Sequence, residues 1–321
     1  MPRPLLLAKD RPPPARTLIV DCGRTDGAAT WSHWDGAPRP PAPWIADTAT
    51  EQVLRALADD PQVFAGFDAV ANDHIDADGL LSVACACLGP AVLPHADLLI
   101  AAAEAGDFSA WTGEAGLRLA WTLHRRIGQG GPGQAILDEV TGNLNDLIAR
   151  STTAHGESHR HAVEVRARIQ AREGFTVEKL GDLVSILWSG DGNHAWDQFN
   201  GVPTPSEPLP LWSCEGHWDG TCFHLHGQQG AEGIRYVAYA PFHSWAETVV
   251  RPRVVRPNLG RCLLRLNGME TGGGRWVGGD DARRVAFTGI LACVDGTGLP
   301  VPSTLGPGTV AAALREALRH R

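Results

Sequence analysis

The chain has 321 residues, of which 43% are hydrophobic and 20% are charged. This composition is typical of a globular protein, and the length is sufficient for two domains. The formal net charge of −8 argues against a general binder of duplex nucleic acid or of membrane surfaces, because both require a positively charged footprint.

The chain begins with residues 1–16, which are rich in proline and contain a short leucine run. This stretch lacks the apolar segment and cleavage site of a signal peptide, so we predict a disordered tail. No apolar run reaches the roughly 18 residues that a membrane helix needs, so we expect no membrane span. The odd number of cysteines and the absence of a Cys-x-x-Cys pair favour reduced thiols in the cytoplasm.

The first predicted elements alternate between strand and helix. Residues 17–22 form an apolar run typical of a strand, and a loop rich in Pro and Gly follows. Thr48 and Glu51 have the spacing of a capping box, which predicts a helix over about 49–59. The apolar run at 63–71 predicts a second strand.

The middle of the chain is predicted to be helical. Apolar residues recur there at helical spacing. The predicted helices lie at about 79–88, 95–105, 113–127, 133–150 and 157–172.

The pattern changes near residue 174. An alternating stretch over 175–188 with a Leu-Gly-Asp turn predicts a hairpin. Short apolar runs follow, at 209–214, 221–226, 234–240 and 286–293, with helices near 258–269 and 308–320. We therefore predict an α/β fold made of a domain over 17–152 with a parallel sheet and helices, a helical linker over 153–173, and a smaller β-rich α+β domain over 174–321.

The residues with the clearest chemistry lie between the second strand and the next helix. His74, Asp76 and Asp78 occupy alternate positions, and Gly79 follows them. Alternate side chains of an extended turn lie on one side, and carboxylate with imidazole favours a divalent metal such as Mn²⁺ or Mg²⁺. The alternative is that one aspartate simply caps the helix.

This turn resembles the first motif of the DHH phosphoesterase superfamily. The shared pattern is a strand, then Asp/His-x-Asp-x-Asp-Gly, two residues and a serine, here His74 to Ser82. The resemblance implies a DHH-like N-terminal domain, divalent metal ions bound by the acidic residues, and a substrate-binding-like C-terminal domain. It also implies Asp107 as the aspartate of the second motif. The Asp-His-His triplet that names the superfamily is absent from the sequence.

A longer stretch of the chain resembles a bacterial family of unknown function. The shared motifs read Ser-His-Trp at 32–34, Asp-Thr-Ala-Thr-Glu at 47–51 and Asn-Asp-His-Ile-Asp-Ala-Asp-Gly at 72–79. This resemblance implies that the three motifs are neighbours in one architecture, and it implies no established activity.

Four further residues are candidates for the same site. If the strands at 17–22 and 63–71 are adjacent and parallel, their following loops meet, and His33 can complete a metal shell or act as a general acid. Packing of His33 between aromatic residues is the alternative. Asp107 is predicted at the C-terminal end of a small helix, where a negative charge interacts unfavourably with the helix dipole. This placement suggests a functional role for Asp107. Arg251 and Arg253 are candidates for holding an anionic substrate, with a solvated strand edge as the alternative.

The leading interpretation is a cytoplasmic, metal-dependent hydrolase of a phosphoester or phosphoanhydride. His74, Asp76, Asp78 and Asp107 would bind Mn²⁺ or Mg²⁺, with His74, His33 and Asp107 as the catalytic groups. Its substrate would be a small phosphorylated molecule or a short oligonucleotide, and a homodimer is possible. The alternative, motivated by the missing triplet, is a non-catalytic nucleotide- or anion-binding protein with a degenerate DHH-like site.

Overall fold

The computed structural model describes residues 2–8, 10–190, 202–204, 207–214 and 222–320. These residues form two compact units. The first consists of the chain up to His159 together with Val202 and Trp245–Pro252, and the second contains the other described residues. The segment Trp245–Pro252 thus belongs to the first unit, although the sequence places it within the predicted C-terminal domain.

The first unit contains a four-stranded sheet in which every strand pair is parallel. The strand order is β1-β4-β2-β3. The strands are β1 (Arg3–Leu6), β2 (Thr17–Val20), β3 (Ala29–Trp31) and β4 (Ala69–Asn72). All residues of β2 and β4 are buried, as in parallel sheets that are covered on both faces.

The beginning of the chain corrects one prediction. Arg3–Leu6 are not disordered but form β1, which pairs with β4 at the edge of the sheet. The N–H of Leu6 donates to Oε1 of Gln134 at 2.7 Å, which anchors the strand. The prolines were misleading because proline is tolerated in an edge strand. The predicted strand at 63–71 is also shorter, since residues 61–66 form turns and β4 begins at Ala69.

Helices flank this sheet, and most predicted positions are confirmed. They are α1 (Ala49–Asp59), α2 (Ala77–Leu88), α3 (Ala96–Phe108), α4 (Glu114–Gly128), α5 (Gly133–Gly142), α6 (Leu144–Ser151) and α7 (Gly156–Ala171). The predicted cap is present, since Thr48 Oγ1 accepts from the N–H of Glu51. The single helix predicted at 133–150 is interrupted at Asn143.

Residues 77–108 form a helical stretch that is long and apolar enough to cross a membrane, judged by length and composition alone. It consists of α2, a 3₁₀ segment over Gly89–His95 and α3. All residues of α2 except Leu88 are buried, many of them in the hydrophobic core of the first unit. Packing in this core accounts for the apolar composition of the stretch.

The described part of the second unit contains a seven-stranded mixed sheet. Its strands are β5 (Phe175–Leu180), β6 (Leu183–Ser189), β7 (Phe223–Gly230), β8 (Gly233–Tyr239), β9 (Arg275–Gly278), β10 (Gly289–Val294) and β11 (Pro302–Ser303). The hairpin predicted at 175–188 is the β5–β6 pair. The fold class, with a parallel sheet flanked by helices and a separate β-rich unit, is therefore confirmed.

Helices complete the second unit. They are α8 (Leu211–Cys214), α9 (Gly260–Met269), α10 (Asp280–Arg283) and α11 (Pro307–Leu318). Helices α9 and α11 match the predicted positions, whereas the apolar run at 209–214 ends in a short helix. All seven cysteines are buried, and none of them is in a disulfide bond.

Candidate metal centre

Two neighbouring strands deliver acidic residues to one edge of the first sheet. Asp21 directly follows β2, and the Asp-rich turn directly follows β4, the strand that pairs with β2 in parallel. The carboxyl ends of parallel strands meet at one edge, where α/β sheets place their ligands. Asp21 has a φ of 54°, a conformation that is uncommon for residues other than glycine and concentrates at functional sites.

Four side chains form a buried group, which we call the inner group: Asp21, His33, Asp78 and Asp107. Their ligand atoms lie within 4.8 Å of one another. From Nε2 of His33, the distances are 2.9 Å to Asp21 Oδ1, 3.3 Å to Asp107 Oδ2 and 3.7 Å to Asp78 Oδ2. Each of the four is at most 1% exposed. Three carboxylates this close, without water, repel one another unless a cation or shared protons compensate.

A second group, which we call the outer group, contains Asp21, His74 and Asp76. Nε2 of His74 lies 3.0 Å from Asp76 Oδ2 and 3.5 Å from Asp21 Oδ2. His74 and Asp76 are partly exposed. Asp21 is therefore common to both groups, with Oδ1 at His33 and Oδ2 at His74. This is an arrangement in which one carboxylate can bridge two cations.

The electrostatics of the inner group reflect its burial. Desolvation, reinforced by the charge of Asp21, raises the pKa of Asp78 from 3.8 to about 7. Desolvation and the charge of Asp78 also raise the pKa of Asp107 well above its usual value. Desolvation opposes ionisation of Asp21 as well, but hydrogen bonds with His33 and His74 outweigh it and lower its pKa to about 2. The raised pKa values of Asp78 and Asp107 thus reflect the cost of holding several uncompensated carboxylates together.

The inner carboxylate of Asp78 is held by the start of α1. Its Oδ2 accepts from the N–H of Ala49 and its Oδ1 from the N–H of Thr50, each at 2.7 Å. These are first-turn N–H groups, which lack an acceptor within their own helix. Helix α1 thus orients Asp78, while the oxygen that faces His33 stays within reach of a ligand.

The turn caps the next helix and also contributes a side chain to the outer group. Oδ1 of Asp76 accepts from the N–H of Gly79 at 2.8 Å and caps α2, whereas Oδ2 faces His74. The predicted cap is therefore present, and it leaves the second carboxylate oxygen within reach of a cation. A Cβ on Gly79 would lie 1.9 Å from Nδ2 of Asn72 and 3.1 Å from Oδ2 of Asp21, so only glycine permits this approach.

The ring of His33 is fixed by its other nitrogen. Nδ1 lies 2.5 Å from the backbone carbonyl of Asp47, so Nδ1–H donates there and Nε2 faces the carboxylates. Histidines that ligate metals are typically held in this way by a carbonyl or carboxylate partner. The ring of His33 also packs between aromatic residues, which was the alternative prediction, since the rings of Phe108 and Trp245 lie 5.9 Å and 5.1 Å away.

Aromatic residues surround the partly exposed side of the cluster. The ring of Trp34 lies 5.3 Å from His74 and 6.0 Å from Trp245. Both tryptophans are partly exposed. They provide planar apolar surface directly beside the two histidines.

The two arginines predicted to bind substrate have different surroundings. Nη1 of Arg251 is 2.9 Å from both Asp47 Oδ2 and Glu104 Oε1, so this arginine is engaged in ion pairs inside the first unit. Arg253 is an exposed residue of the second unit. A role of either residue in substrate binding stays a prediction.

Sequence reasoning missed Asp21, the residue common to both groups. A signal was present, because Asp21 ends the apolar run at 17–22, and strands that neighbour each other in parallel place such residues together. Trp245 was also missed, because it approaches His33 from a distant part of the sequence that no local pattern connects with the site.

Comparison with known proteins adds little on function. A family model described as a family of unknown function, DUF6687, matches residues 6–134, a range that contains all six residues of the two groups. No match is found among curated proteins. Among solved structures, the chain is similar to a pGpG-specific phosphodiesterase, PggH from Vibrio cholerae, at 10% identity over 95% of this chain and 99% of the other, with a TM-score of 0.33. A similarity this weak gives no information on the activity of the present chain.

Proposed function

We propose that the protein is a metal-dependent hydrolase that acts on a phosphoester or phosphoanhydride. The observation that carries this proposal is the convergence of four carboxylates and two histidines at the end of two parallel strands, with Asp21 common to both groups. Hard carboxylate oxygens combined with imidazole suit Mn²⁺ or Mg²⁺. A bound divalent cation would supply a Lewis acid and lower the pKa of a coordinated water.

The two groups differ in their exposure to solvent, so we assign them different roles. The inner group is closed to solvent, so His33, Asp78 and Asp107 would hold a cation whose charge balances that of the carboxylates. The outer group is partly open, so substrate would meet the protein at His74 and Asp76. Nδ1 of His74 is 3.0 Å from Asp73 Oδ1, which orients the ring so that Nε2 would face the cation.

The surroundings favour a substrate that carries a planar group next to its phosphate. Trp34 and Trp245 lie beside the histidines and keep exposed surface. Stacking of a base on an aromatic side chain contributes about 1–3 kcal/mol and tolerates any base. A short oligonucleotide or a nucleotide thus fits this site better than a small phosphorylated sugar.

The test begins with metal binding. Protein stripped with EDTA should take up Mn²⁺ at micromolar concentration, and Asp78→Asn should weaken this uptake strongly. Asp68→Asn is the matched control, because the side chain of Asp68 is in an exposed ion pair with Arg16. The loaded protein should then hydrolyse a member of a panel of nucleotides and short oligonucleotides.

Two outcomes would change the conclusion. If the unaltered protein takes up no Mn²⁺, the cluster is not a metal centre and the proposal fails. If the protein binds Mn²⁺ and nucleotides but converts nothing on the panel, the non-catalytic binding protein becomes the better account.

A further inference from the structure

Residues 245–252 lie against the cluster, and we call this segment the strap. It belongs to the first unit, although the chain on both sides of it belongs to the second. The N–H of Glu247 donates to the carbonyl of His33 at 2.7 Å, and Ala246 forms an isolated β-bridge with Trp34. The strap is therefore attached to the backbone of His33 and of the next residue, Trp34.

The carboxylate of Asp47 holds the other end of the strap. Its Oδ1 accepts from the N–H of Val249 at 2.6 Å and of Val250 at 3.0 Å. Its Oδ2 accepts from Arg251 twice, from the backbone N–H at 3.3 Å and from Nη1 at 2.9 Å. One buried carboxylate thus accepts hydrogen bonds from three consecutive backbone N–H groups and from one guanidinium. Because the carboxylate is charged, these are charge-assisted hydrogen bonds, which are stronger than neutral ones.

Asp47 is also connected to the metal centre. Its backbone carbonyl accepts from Nδ1 of His33, while its side chain binds the strap. The strap in turn places Trp245 at 5.1 Å from the ring of His33. One residue therefore orients the histidine and docks the segment that covers it.

Little besides these polar contacts holds this end of the strap. Val249 and Val250 are 52% and 78% exposed, so their burial contributes little to docking. Docking of this end must then depend largely on Asp47 and Arg251, with Arg251 further held by Glu104 at 2.9 Å and by the ring of Phe108 at 4.6 Å.

We propose that Asp47 is a positioning residue that keeps the strap docked over His33, and that the docked strap retains the cation of the inner group. This inference rests on the proposed function, because it assumes that the group binds a divalent cation. The inner residues are at most 1% exposed, so a cation cannot leave until a neighbouring segment moves. Release of the strap would withdraw Trp245 from the His33 ring.

The experiment measures how fast Mn²⁺ leaves the loaded full-length protein when excess EDTA is added. Asp47→Ala should accelerate release about tenfold or more, which corresponds to about 1.4 kcal/mol of docking free energy. Asp47→Asn keeps the shape and removes the charge, and should give an intermediate rate. Asp68→Asn also removes one carboxylate from the first unit, but Asp68 forms an exposed ion pair with Arg16 and not with the strap, so its release rate should equal that of the unaltered protein.

Two further variants separate positioning from a general loss of stability. Trp245→Ala leaves the Asp47 contacts in place but uncovers His33, and should also accelerate release. Arg251→Ala should act through the same contact as Asp47→Ala, so the double variant should release no faster than Asp47→Ala alone. A purely structural role would lower the melting temperature of these variants and leave release at 25 °C unchanged.

Failure of this proposal can be distinguished from failure of the proposed function. Equal release rates in the unaltered protein, Asp47→Ala and Trp245→Ala would overturn the role of the strap and leave the metal centre intact. If Asp47→Ala does not fold, Arg251→Ala and Trp245→Ala decide in the same way. Failure of the unaltered protein to bind Mn²⁺ would overturn both proposals.

Discussion

Oδ1 of Asp21 lies 2.9 Å from Nε2 of His33, and both side chains are closed to solvent. The other carboxylate oxygen of Asp21 faces His74 at 3.5 Å. A single side chain thus connects a closed group of ligands with an open one. This relation makes Asp21 the residue on which the proposed centre depends most.

The first prediction concerns the bridging carboxylate. Asp21→Asn should abolish binding of both cations, because it removes a charge that the two groups share, whereas Asp76→Asn should remove only the outer one. Loss of an outer-shell partner alone typically costs 10–100-fold in metal affinity, so loss of this ligand should cost about 100-fold or more. Metal content per chain after Mn²⁺ loading measures the effect. Unchanged content in Asp21→Asn would show that Asp21 is not a ligand.

The second prediction concerns Gly79. Gly79→Ala should lower stability and Mn²⁺ affinity together, because its Cβ would collide with Asn72 and approach Asp21. Overpacking of this kind costs about 1–3 kcal/mol. Gly128→Ala is the control, since no atom lies within 4 Å of its Cβ position at the end of α4. Urea unfolding and Mn²⁺ titration of both variants provide the comparison, and equal behaviour would contradict the packing argument.

The third prediction is a dependence on pH. Burial and the charge of Asp21 raise the pKa of Asp78 from 3.8 to about 7. A raised pKa favours the protonated folded form, so the contribution of Asp78 to the stability of the metal-free protein is complete below about pH 4 and is lost as pH rises through 7. A cation must displace this proton. The increase in melting temperature caused by Mn²⁺ should therefore be larger at pH 8 than at pH 5.5, and an equal increase at both would contradict this prediction.

The fourth prediction concerns the second unit. Glu270 accepts hydrogen bonds from Ser303 Oγ, Thr304 Oγ1 and Trp276 Nε1. Although desolvation opposes it, these bonds and those from backbone N–H groups lower the pKa of Glu270 from 4.5 to about 2. Its contribution to stability is present above pH 4.5 and is lost as pH falls towards 2.

Glu270→Gln should accordingly lower the free energy of unfolding at pH 7 by about 1 kcal/mol, at the low end for bonds to a charged group because the site is partly exposed. The deficit should shrink at pH 3. Urea unfolding at the two pH values measures it. A deficit that is independent of pH would show that the charge of Glu270 is unimportant.

Local patterns predicted much of this fold for physical reasons. The capping box at Thr48 and the apolar runs of β2 and β4 depend on near neighbours in the sequence. The strand at Arg3–Leu6 was missed because its formation depends on pairing with β4 and on Gln134, which lie far along the chain. Proline content alone does not reveal such partners.

The candidate site was predicted in part. His74, Asp76 and Asp78 stand out because they are close in sequence. His33 follows from the expected meeting of strand ends, and Asp107 from the family resemblance and its place at a helix end. Asp21 was overlooked as part of a strand, and Trp245 belongs to a distant segment that contacts Asp47, His33 and Trp34. Arg251 was expected to meet an anionic substrate because a sequence does not show that Asp47 and Glu104 already pair with it.

Anomalous diffraction from crystals of the full-length protein soaked in Mn²⁺ tests the central claim most directly. The account predicts two peaks on either side of the Asp21 carboxylate, one coordinated by His33, Asp78 and Asp107, the other by His74 and Asp76. The account would be contradicted if a fully soaked crystal of the folded protein, kept near neutral pH, shows no peak in contact with Asp21.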